Sequence, residues 1–466
     1  MPNLLIPCSG PGTRSVGYAK FHKALARIGE CSVLDHIINS FEDIDKIYIT
    51  LGFQSQYIRE YIQHSNRKNV EFIEIENWNQ NQIVSFQQIP KHVFEEPLYY
   101  NACDNWSTSV GVVQYNTWYT CQPENSDYYD TSQGKVYSGI SFIKDSQTYY
   151  DILQSTDINR NDLILLQQLD DLQSKPLDDW YDIGNAKSYN HAQTKYKNSF
   201  DVLDKTNQEV YKVKNRIIKL FEKKPKLHLQ NQSYPHPYPV LDTESGLSYE
   251  YCEGKVNPFN GEFTKLLDNL QLQWQFSINN YHKVREKSLW LDKTWERFNS
   301  MCHSHTEFTT PIILNGEEID CTRIVEQLDW ELIMNGIKGP CHGDLVLDNI
   351  IVGEESTYYI DHRAGVVNDI FYDICKFYHS LHLHNINLKK YTLTQQGNSY
   401  TIELSLSEED SLRLNQFQLS PIYHQHKRKI ELGVGCIWLS MSPLNVDKEL
   451  NKFLFLLAME QLKKYE

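Results

Sequence analysis

Strand and helix patterns alternate over the first 200 residues, and this alternation constrains the fold more than any other feature of the sequence. Apolar β-rich runs and amphipathic helical runs follow each other as NLLIP (strand), CSVLDHIINSF (helix), KIYITLGF (strand), SQYIREYIQ (helix) and VEFIEI (strand). Such alternation predicts a parallel sheet with helices on its faces. Ligands of these sheets bind beyond the carboxyl ends of the strands, so the polar residues that follow the strands are the candidate site residues.

The chain is longer than one hydrophobic core usually organises. With 466 residues, two domains of about 200 residues or more are expected. The polar segment KNSFDVLDKTNQ, residues 197–208, has no clear hydrophobic period, so we predict one domain over residues 1–200 and another over 205–466. Helical patterns dominate from about residue 260, and the last one predicts an amphipathic packing helix. Its apolar face carries Leu450, Phe453, Leu454 and Leu457.

Charge, cysteine usage and hydropathy exclude several classes of protein. The chain has 45 basic and 60 acidic side chains, and the net charge of −15 argues against a surface that coats nucleic acid. Its 10 cysteines include no CxxC pair, so they predict neither a zinc ribbon nor a disulfide framework and fit a reducing cytoplasm. The longest apolar run, FLFLLAM, is far too short to cross a bilayer. We expect a cytoplasmic protein without membrane insertion, and the sequence leaves homo-oligomerisation open.

Glycines and basic residues follow the first predicted strand. The segment CSGPGTRSVGYAKFHKAL contains Gly10, Gly12, Thr13, Arg14, Lys20 and Lys23. Glycines let backbone N–H groups approach oxygen atoms closely, and a concave run of this kind suits a phosphate chain. Arg14 and Lys23 would add positive charge. On the pattern alone, a tight turn explains the glycines equally well.

Two aspartates follow other predicted strands. EPLYYNACDN predicts an apolar strand that leads into Asp104, and DDWYDIGNAKSYNHA places Asp182 at a strand end before Gly184 and a helix. A magnesium ion bound to a nucleotide keeps several waters and takes only one or two protein carboxylates. Each aspartate alone would also suit a helix cap or a turn. Together with the glycine segment, they favour a site for a metal-bound nucleotide.

In this order, the motifs resemble the nucleotidyltransferases that make nucleotide-diphosphate sugars and their relatives that make CDP-choline. The resemblance covers nearly all of residues 1–200 and runs through GxGTR, a lysine before AL, IYITLGFQSQYIREYI, NACDN and WYDIGNAKSYNHA. It implies a Rossmann-like domain with a mostly parallel sheet. The residues that it implies to grip the NTP triphosphate are Gly10, Gly12, Thr13, Arg14 and Lys23. The implied ligands of Mg²⁺ are Asp104 and Asp182.

The resemblance also implies a reaction. A phosphate oxygen of the second substrate attacks the α-phosphorus in line and pyrophosphate leaves, while Arg14 and Lys23 neutralise the developing charge. One departure concerns the signature lysine, which is preceded by proline in the family and by His22 here. Lys20 offers a competing register, and we favour Lys23 because KALARIGECSVLDHII continues the family pattern. The strand VYSGISF, around Gly139, is expected on the acceptor side.

In the second domain, polar residues interrupt an otherwise apolar segment, GPCHGDLVLDNIIV. Phosphoryl transfer from ATP needs a carboxylate near the acceptor hydroxyl, an amide oxygen on a metal and a second carboxylate that bridges metal and phosphates. Asp344 and Asn349 are spaced for a short loop that returns both side chains to one pocket, and YYIDHRAG brings Asp361 from a neighbouring strand. A buried hairpin with hydrogen-bonded polar caps is the structural alternative.

The pattern HGDxxxxN followed by ID resembles the aminoglycoside phosphotransferases and choline kinases, which are relatives of protein kinases. The segment NDIFYDICKFYHSL continues this resemblance. It implies an α+β protein-kinase-like domain with Asp344 as the catalytic base and His342 as a residue that positions the backbone. Asn349 and Asp361 are the implied ligands of Mg²⁺.

The lysine that would pair with the phosphates of ATP is less distinct. EVYKVKNRIIKLF offers Lys212, Lys214 and Lys219, and no recognisable glycine-rich loop accompanies them. We choose Lys212. GLSYEYCEG, residues 246–254, resembles the hinge whose backbone meets adenine.

Two hypotheses from different classes follow. In the first, the chain is a bifunctional enzyme whose second domain phosphorylates a small alcohol or sugar with ATP, and whose first domain transfers a nucleotidyl group from an NTP to that phosphate. CTP and UTP are the favoured NTPs, and the products would be precursors of surface polysaccharide or phospholipid headgroups. In the second, only the first domain catalyses, and the kinase-like domain binds or regulates. Two active domains with unrelated substrates are a third option.

Overall fold

The computed structural model describes residues 1–122, 131–132, 135–157, 162–196, 207–224, 233–238, 240–363, 367–383 and 390–466. The chain forms two compact units, Met1–Lys224 with Tyr238–Tyr251, and Pro225–Pro237 with Cys252–Glu466. The predicted boundary, between residues 200 and 205, lies outside the described residues.

The first unit is built around one sheet. Its strands lie in the spatial order Gln173–Pro176, Thr117–Cys121, Lys135–Ile143, Leu98–Asn101, Asn3–Cys8, Ile47–Leu51 and Val70–Glu74, and Thr131–Ser132 pairs with Lys135–Ile143. Strand Asn3–Cys8 pairs in parallel with both of its neighbours, whereas Lys135–Ile143 is antiparallel to both of its neighbours in this order. The sheet is mostly parallel, which confirms the α/β architecture predicted for the first 200 residues.

Both faces of this sheet are buried. Leu4 and Ile6 belong to one apolar cluster and Leu5 to another, because successive side chains of a strand point to opposite faces. The helices of the unit are Val33–Asn39, Ser55–His64, Gln82–Gln87, Ser146–Ser155, Asp162–Leu166 and Ala186–Lys195. Short 3-10 turns are Thr13–Ser15, Lys23–Leu25 and Lys91–Phe94. Two short strand pairs are Arg27–Ile28 with Cys31–Ser32, and Asn105–Trp106 with Tyr181–Asp182.

A small antiparallel sheet completes the first unit. Its strands lie in the order Gln208–Val213, Arg216–Phe221, Gly246–Glu250 and Leu241–Asp242. The Tyr211 hydroxyl donates to the Leu25 carbonyl at 2.7 Å, and His64 Nδ1 lies 2.9 Å from Ser248 Oγ. We predicted that this segment belongs to the second domain. In the structure it belongs to the first unit, because it packs on residues near the start of the chain.

Helices predominate in the second unit, as predicted. They are Gly261–Asn280, Lys293–Ser304, Cys321–Gln327, Trp330–Met334, Ile370–Leu383, Glu408–Gln418, Pro421–Met441 and Lys448–Lys463, with a π turn at Ser288–Asp292 and 3-10 turns at Thr306–Thr309, Leu347–Asn349 and Ser442–Leu444. The last helix begins after Asp447, whose carboxylate accepts from the Glu449 and Leu450 amides. Its predicted apolar face is buried, which confirms the packing helix.

Short strands join the helices of the second unit. Lys255–Val256, Ile350–Val352 and Thr357–Tyr359 form one sheet, and Lys283–Arg285 pairs with Asn335–Ile337. A third sheet has the order Glu317–Ile319, Ile312–Leu314, Ser399–Leu404 and Tyr391–Gln396. Across the part of the chain that the structure describes, no helix has the length and apolar character needed to cross a membrane.

Candidate functional site

The glycine segment forms a tight loop after strand Asn3–Cys8. Gly12 has φ +56°, and its carbonyl accepts from the Ser15 amide at 2.9 Å and the Ser15 hydroxyl at 2.7 Å. A Cβ atom at Gly12 would also lie only 3.0 Å from Lys23 Cδ. The backbone conformation and the close lysine together explain why glycine occupies this position.

His22 connects this loop to the segment of Lys23 through hydrogen bonds. Its Nε2 lies 3.1 Å from the Gly10 carbonyl oxygen, and its Nδ1 accepts from the Ala24 amide at 3.2 Å. Burial, followed by the positive charge of Lys23, lowers the pKa of His22 to about 4. The ring is therefore neutral at pH 7, and its Nε2–H donates to Gly10. The histidine that precedes Lys23 thus has a structural role here.

Lys23 and Asp104 form a partly buried ion pair. Lys23 Nζ lies 2.8 Å from Asp104 Oδ2. Burial disfavours the charged form of Lys23, but the Asp104 carboxylate outweighs it and raises the pKa of Lys23 above its usual value. Burial likewise opposes ionisation of Asp104, yet the charges of Lys23 and Arg14 lower the pKa of Asp104. Both partners are charged, so the site places a cation directly beside a carboxylate.

Asp182 lies beside Asp104. Strand Tyr181–Asp182 pairs with Asn105–Trp106, and the Ile183 amide donates to the Asp104 carbonyl at 2.8 Å. Asp182 Oδ1 accepts from the Gly184 amide at 2.8 Å. Burial, followed by the charges of Asp104 and Asp182, raises the pKa of Tyr18 to about 12, so both carboxylates act on one phenol. The two predicted metal ligands are brought together.

One cavity of about 570 Å³ collects the predicted residues. Its walls include Gly10, Arg14, Lys23, Asp104 and Asp182. An adjoining cavity of about 250 Å³ is lined by Gly12, Thr13 and again Arg14. The competing lysine, Lys20, instead has its Nζ 3.1 Å from the Gln208 carbonyl and 3.5 Å from Glu209 Oε2.

The opposite wall of the 570 Å³ cavity was not found from the sequence. It contains Trp78, Gln80, Gln82, Phe86 and Tyr100. Trp78, Gln80 and Gln82 come from NWNQNQ, which follows strand Val70–Glu74 at its carboxyl end, and the Gln82 amide donates to the Tyr100 hydroxyl at 3.0 Å. A polar segment after a parallel strand was the signal available for this wall. Aromatic faces and amides are groups that bind a nucleobase.

A larger cavity, of about 1050 Å³, shares Trp180 and Asp182 with the first. Its wall includes Gln122 and Lys135, which flank residues outside the described part of the chain. Gly139, expected on the acceptor side, lines the 570 Å³ cavity and has φ +76°. A Cβ atom there would lie 2.5 Å from Asn105 Nδ2, next to Asp104.

In the second unit, buried contacts hold the segment that contains Asp344. Asp373 accepts from the His342 amide at 2.6 Å and the Gly343 amide at 2.8 Å. Burial raises the pKa of Asp373 to about 7 although both backbone bonds oppose the shift. Gly343 has φ +82°, and a Cβ atom there would lie 2.7 Å from the Arg363 carbonyl oxygen. The turn that presents Asp344 is therefore closely packed and accepts glycine alone.

Two cations contact Asp344. Lys376 Nζ lies 2.9 Å from Asp344 Oδ1, and Arg363 Nη2 lies 3.1 Å from Oδ2. Burial alone would raise the pKa of Asp344, but Lys376 and then Arg363 lower it to about 2. Neither cation was predicted. Lys376 follows Asp373 by three residues on helix Ile370–Leu383, and this helical spacing was the signal for a second inward side chain on the same face.

Asn349 and Asp361 lie on neighbouring stretches of chain. Asn349 Nδ2 donates to the Asp344 carbonyl at 2.8 Å, and the Ile360 amide donates to the Asn349 carbonyl at 2.9 Å. His342 Nε2 lies 3.0 Å from the Ile360 carbonyl oxygen, immediately before Asp361. Asp361 itself has φ +62°. Strands Ile350–Val352 and Thr357–Tyr359 pair antiparallel as a hairpin, and the predicted residues cluster at its base, where the structural alternative also places polar caps. Their role as ligands or base stays a prediction.

Lys212 lies on strand Gln208–Val213 of the first unit, with its Nζ 3.9 Å from the centre of the Tyr251 ring. Asp344 belongs to the second unit. The expected hinge segment is strand Gly246–Glu250, also in the first unit. The pairing of Lys212 with ATP therefore stays a prediction.

The residues present suit magnesium bound to a nucleotide better than a closed metal site. Among the described residues, no group of three or more His, Cys, Asp and Glu side chains is placed to hold a metal ion. Each half instead offers two oxygen-bearing side chains, Asp104 with Asp182 and Asn349 with Asp361. A nucleotide-bound Mg²⁺ takes its remaining ligands from phosphates and water.

No model of a known protein family matches this chain, and no curated protein matches it. Solved structures similar to its N-terminal part include the CTP:phosphocholine cytidylyltransferase of Streptococcus pneumoniae, 15% identical, covering 41% of this chain and 97% of that chain with a TM-score of 0.35. HddC from Yersinia pseudotuberculosis is 16% identical, and the match covers 42% of this chain and 100% of that chain with a TM-score of 0.34. The inositol-1-phosphate CTP transferase of T. maritima is 13% identical, covering 42% and 96% with a TM-score of 0.33.

These structural neighbours of the N-terminal part are nucleotidyltransferases. Because each TM-score is below 0.5, the function proposed below rests on the residues of the site.

Proposed function

We propose that the first unit is a magnesium-dependent nucleotidyltransferase that couples an NTP to a phosphate monoester and releases pyrophosphate. One observation carries this proposal: Gly10, Arg14, Lys23, Asp104 and Asp182 all line a single cavity. Glycine backbone, two cations and two carboxylates are the groups that a triphosphate with its Mg²⁺ needs. A pocket that served only for structural packing would not gather these charges.

The chain's own residues account for most of the chemistry. The loop around Gly10 and Gly12 cradles the triphosphate, and Arg14 and Lys23 neutralise charge on its oxygens. An oxygen of the acceptor phosphate forms the new bond to the α-phosphorus, and the bond to the bridging oxygen of pyrophosphate breaks. Mg²⁺, when bound, supplies charge neutralisation and orientation of the phosphates. Asp104 and Asp182 would hold it, and the ion pair with Asp104 keeps Lys23 in place before substrate enters.

The substrates belong to the proposal. A sugar phosphate or an amino-alcohol phosphate such as phosphocholine is the acceptor class, and CTP or UTP is the favoured NTP. The amide side chains of Gln80 and Gln82 in the cavity wall can pair with the hydrogen-bonding edge of a nucleobase. The product would be a precursor of surface polysaccharide or of a headgroup. We place the reaction in the cytoplasm, which agrees with the free thiol state of all ten cysteines.

Pyrophosphate release tests this activity. The purified chain is incubated with Mg²⁺, each of the four NTPs and a panel of sugar phosphates, phosphocholine and inositol phosphate. We expect release with one acceptor class, and its loss in Asp104→Asn and Asp182→Asn. Asp151→Asn, an exposed aspartate of helix Ser146–Ser155, is the matched control and should keep full activity. No release across the whole panel contradicts the proposal.

For the second unit we propose an ATP-dependent kinase that makes the phosphate used by the first. The gathering of Asp344, Asn349 and Asp361 supports this function. A second candidate is a kinase-shaped binding module without turnover, and the two cations on Asp344 favour it because they occupy the oxygens that would receive the acceptor hydroxyl. Two active units with unrelated substrates are the third.

ADP formation separates these candidates. The chain is incubated with ATP, Mg²⁺ and a panel of unphosphorylated alcohols, sugars and amino alcohols. A kinase forms ADP with one of them, and Asp344→Asn abolishes this while pyrophosphate release persists. Asp292→Asn, exposed in the same unit, is the matched control. Absence of ADP with every alcohol, together with intact pyrophosphate release, would favour the binding module. If the alcohol that is phosphorylated yields a phosphate the first unit does not use, the substrates are unrelated.

A further inference from the structure

Two cysteines lie side by side at the ends of neighbouring strands under the first candidate site. Cys8 is the last residue of strand Asn3–Cys8, and Cys103 follows strand Leu98–Asn101. These strands pair in parallel with Leu4 opposite Tyr99 and Leu5 opposite Tyr100, and the same register carried forward places residue 8 opposite residue 103. Both are free thiols, and their side chains are hydrogen-bonded to each other. The geometry is that of two thiols close enough to be joined.

The two thiols differ in access. Cys8 is 0% exposed, whereas Cys103 is 4% exposed and forms part of the wall of the 570 Å³ cavity. A small oxidant that enters this cavity therefore meets Cys103 first. Buried cysteines are usually inert, but Cys103 can be reached through the cavity.

We propose that Cys8 and Cys103 form a redox-sensitive pair, and that hydrogen peroxide converts it to a disulfide that switches off the first unit. Peroxide oxidises the Cys103 thiol to a sulfenic acid and releases one water. The Cys8 sulfur then attacks the Cys103 sulfur, forming the S–S bond, and the sulfenic hydroxyl leaves as a second water with the proton of Cys8. Each disulfide consumes one peroxide, and a dithiol restores the thiols by exchange.

The position of the pair explains why joining it would stop the reaction. Ser9 and Gly10 follow Cys8 directly, and Asp104 follows Cys103. A disulfide holds its sulfur atoms much closer than a hydrogen bond between thiols does, so it draws the glycine loop toward the metal-binding carboxylate. Displacements of about 1 Å at a reacting centre cost on the order of a hundredfold in rate, so we expect a loss of at least about tenfold.

The loss of activity rests on the proposed function, whereas formation of the disulfide does not. The full chain is treated with hydrogen peroxide, the remaining thiols are blocked, and the unreduced digest is analysed by mass spectrometry. We expect a peptide that links Cys8 to Cys103, a fall in pyrophosphate release, and recovery of both with dithiothreitol. Cys8→Ala should keep its basal activity and form no linked peptide. Cys302→Ala, a half-buried cysteine of the second unit, should behave as the wild type.

Each outcome decides one of the two claims. Active reduced protein that forms no linked peptide overturns the thiol pair and leaves the nucleotidyltransferase standing. A linked peptide in a protein that never releases pyrophosphate supports the thiol pair and overturns the nucleotidyltransferase. A linked peptide without loss of activity overturns the switch. If Cys8→Ala is unstable, Cys8→Ser provides the same test with a smaller change in polarity.

Discussion

The two units hold their candidate loops with the same device, a buried neutral histidine. His22 Nε2 lies 3.1 Å from the Gly10 carbonyl and its Nδ1 accepts from Ala24, while His342 Nε2 lies 3.0 Å from the Ile360 carbonyl and its Nδ1 accepts from Asp344. Burial lowers the pKa of both rings to about 4. In both, the proton sits on Nε2 because Nδ1 receives a backbone amide. A single physical solution thus serves two loops with unrelated sequences.

The loops differ in what else holds them. Lys23 forms an ion pair with Asp104, and both line an open cavity. The segment of Asp344 is fixed by Asp373 through two backbone amides, and Asp344 itself contacts Lys376 and Arg363. The cation of the first site therefore faces a cavity, and the second site is braced by groups that also stabilise the fold. Changes at the first should alter activity, and changes at the second should alter stability.

The largest expected effect is that of Lys23→Ala. It removes the cation that we propose to contact the triphosphate, and it leaves Asp104 without its 2.8 Å partner. We expect pyrophosphate release to fall by about a thousandfold, as when a positioned electrostatic group is lost from an active site. Lys20→Ala is the matched control, since Lys20 contacts Gln208 and Glu209 instead, and it should retain activity. Equal losses in both variants would show that the register of the signature lysine is wrong.

Lys376→Met should destabilise the second unit. The lysine side chain is 12% exposed and Asp344 is 15% exposed, so the change leaves a largely buried carboxylate without its first cation. We expect a loss of about 3 kcal/mol in the free energy of unfolding, in the range found when one partner of a buried pair is removed. Urea unfolding followed by limited proteolysis measures this unit separately from the first.

The second cation offers a control for that change. The Arg363 side chain is 57% exposed, so Arg363→Ala should cost less than about 1 kcal/mol. Lys376→Met combined with Asp344→Asn should cost less than Lys376→Met alone, because the uncompensated charge is gone. If the double variant is the less stable one, the ion pair is not what Lys376 contributes.

Acid should weaken both loops to a similar degree. Each histidine has a folded pKa of about 4, against about 6.5 in an unfolded chain. Because the folded pKa is depressed, the stabilisation is complete above about pH 6.5 and is lost as the pH falls toward 4. For each ring this amounts to about 1.5 kcal/mol between pH 6.5 and pH 5.

Glutamine variants isolate this contribution from those of other titrating groups. His22→Gln and His342→Gln keep an N–H donor and cannot take up a proton in this range. Each should reduce the pH dependence of unfolding in its own unit by that amount, measured at pH 6.5 and pH 5. A change in only one of the two would mean that the rings are not held alike.

The sequence predicted helices and strands well where the periodicity of apolar residues matches the face that packing buries. Strands such as NLLIP and helices such as SQYIREYIQ lie where their periodicity placed them, at Asn3–Cys8 and Ser55–His64. Asp104 was found because it follows strand Leu98–Asn101, and Asp182 because it ends a predicted strand. The pairing of Tyr181–Asp182 with Asn105–Trp106 is what brings the two together. Whether these residues act as ligands stays a prediction.

The unpredicted parts depend on contacts that no local pattern encodes. Lys376 meets Asp344 across 32 positions of chain, on a helix whose apolar pattern marks it only as buried. The sheet formed by strands Gln208–Val213 and Arg216–Phe221 has an ordinary hairpin pattern, and only packing of Tyr211 on Leu25 assigns it to the first unit. His22 looked like a departure from a family because its partners, the backbone groups of Gly10 and Ala24, have no sequence signature.

The smallest expected effect tests that last point. His22 has φ −53°, which proline can adopt, so His22→Pro should preserve the turn at Lys23–Leu25 while it removes the bond to the Gly10 carbonyl. We expect pyrophosphate release to fall about three- to tenfold, with the larger part in KM for the NTP, because a loosened glycine loop binds the triphosphate less well. His22→Gln, which keeps a donor, should lie closer to the wild type. If His22→Pro releases pyrophosphate as fast as the wild type, the glycine loop does not depend on the hydrogen bond from His22. His22 and His342 would then share a geometry but not a role.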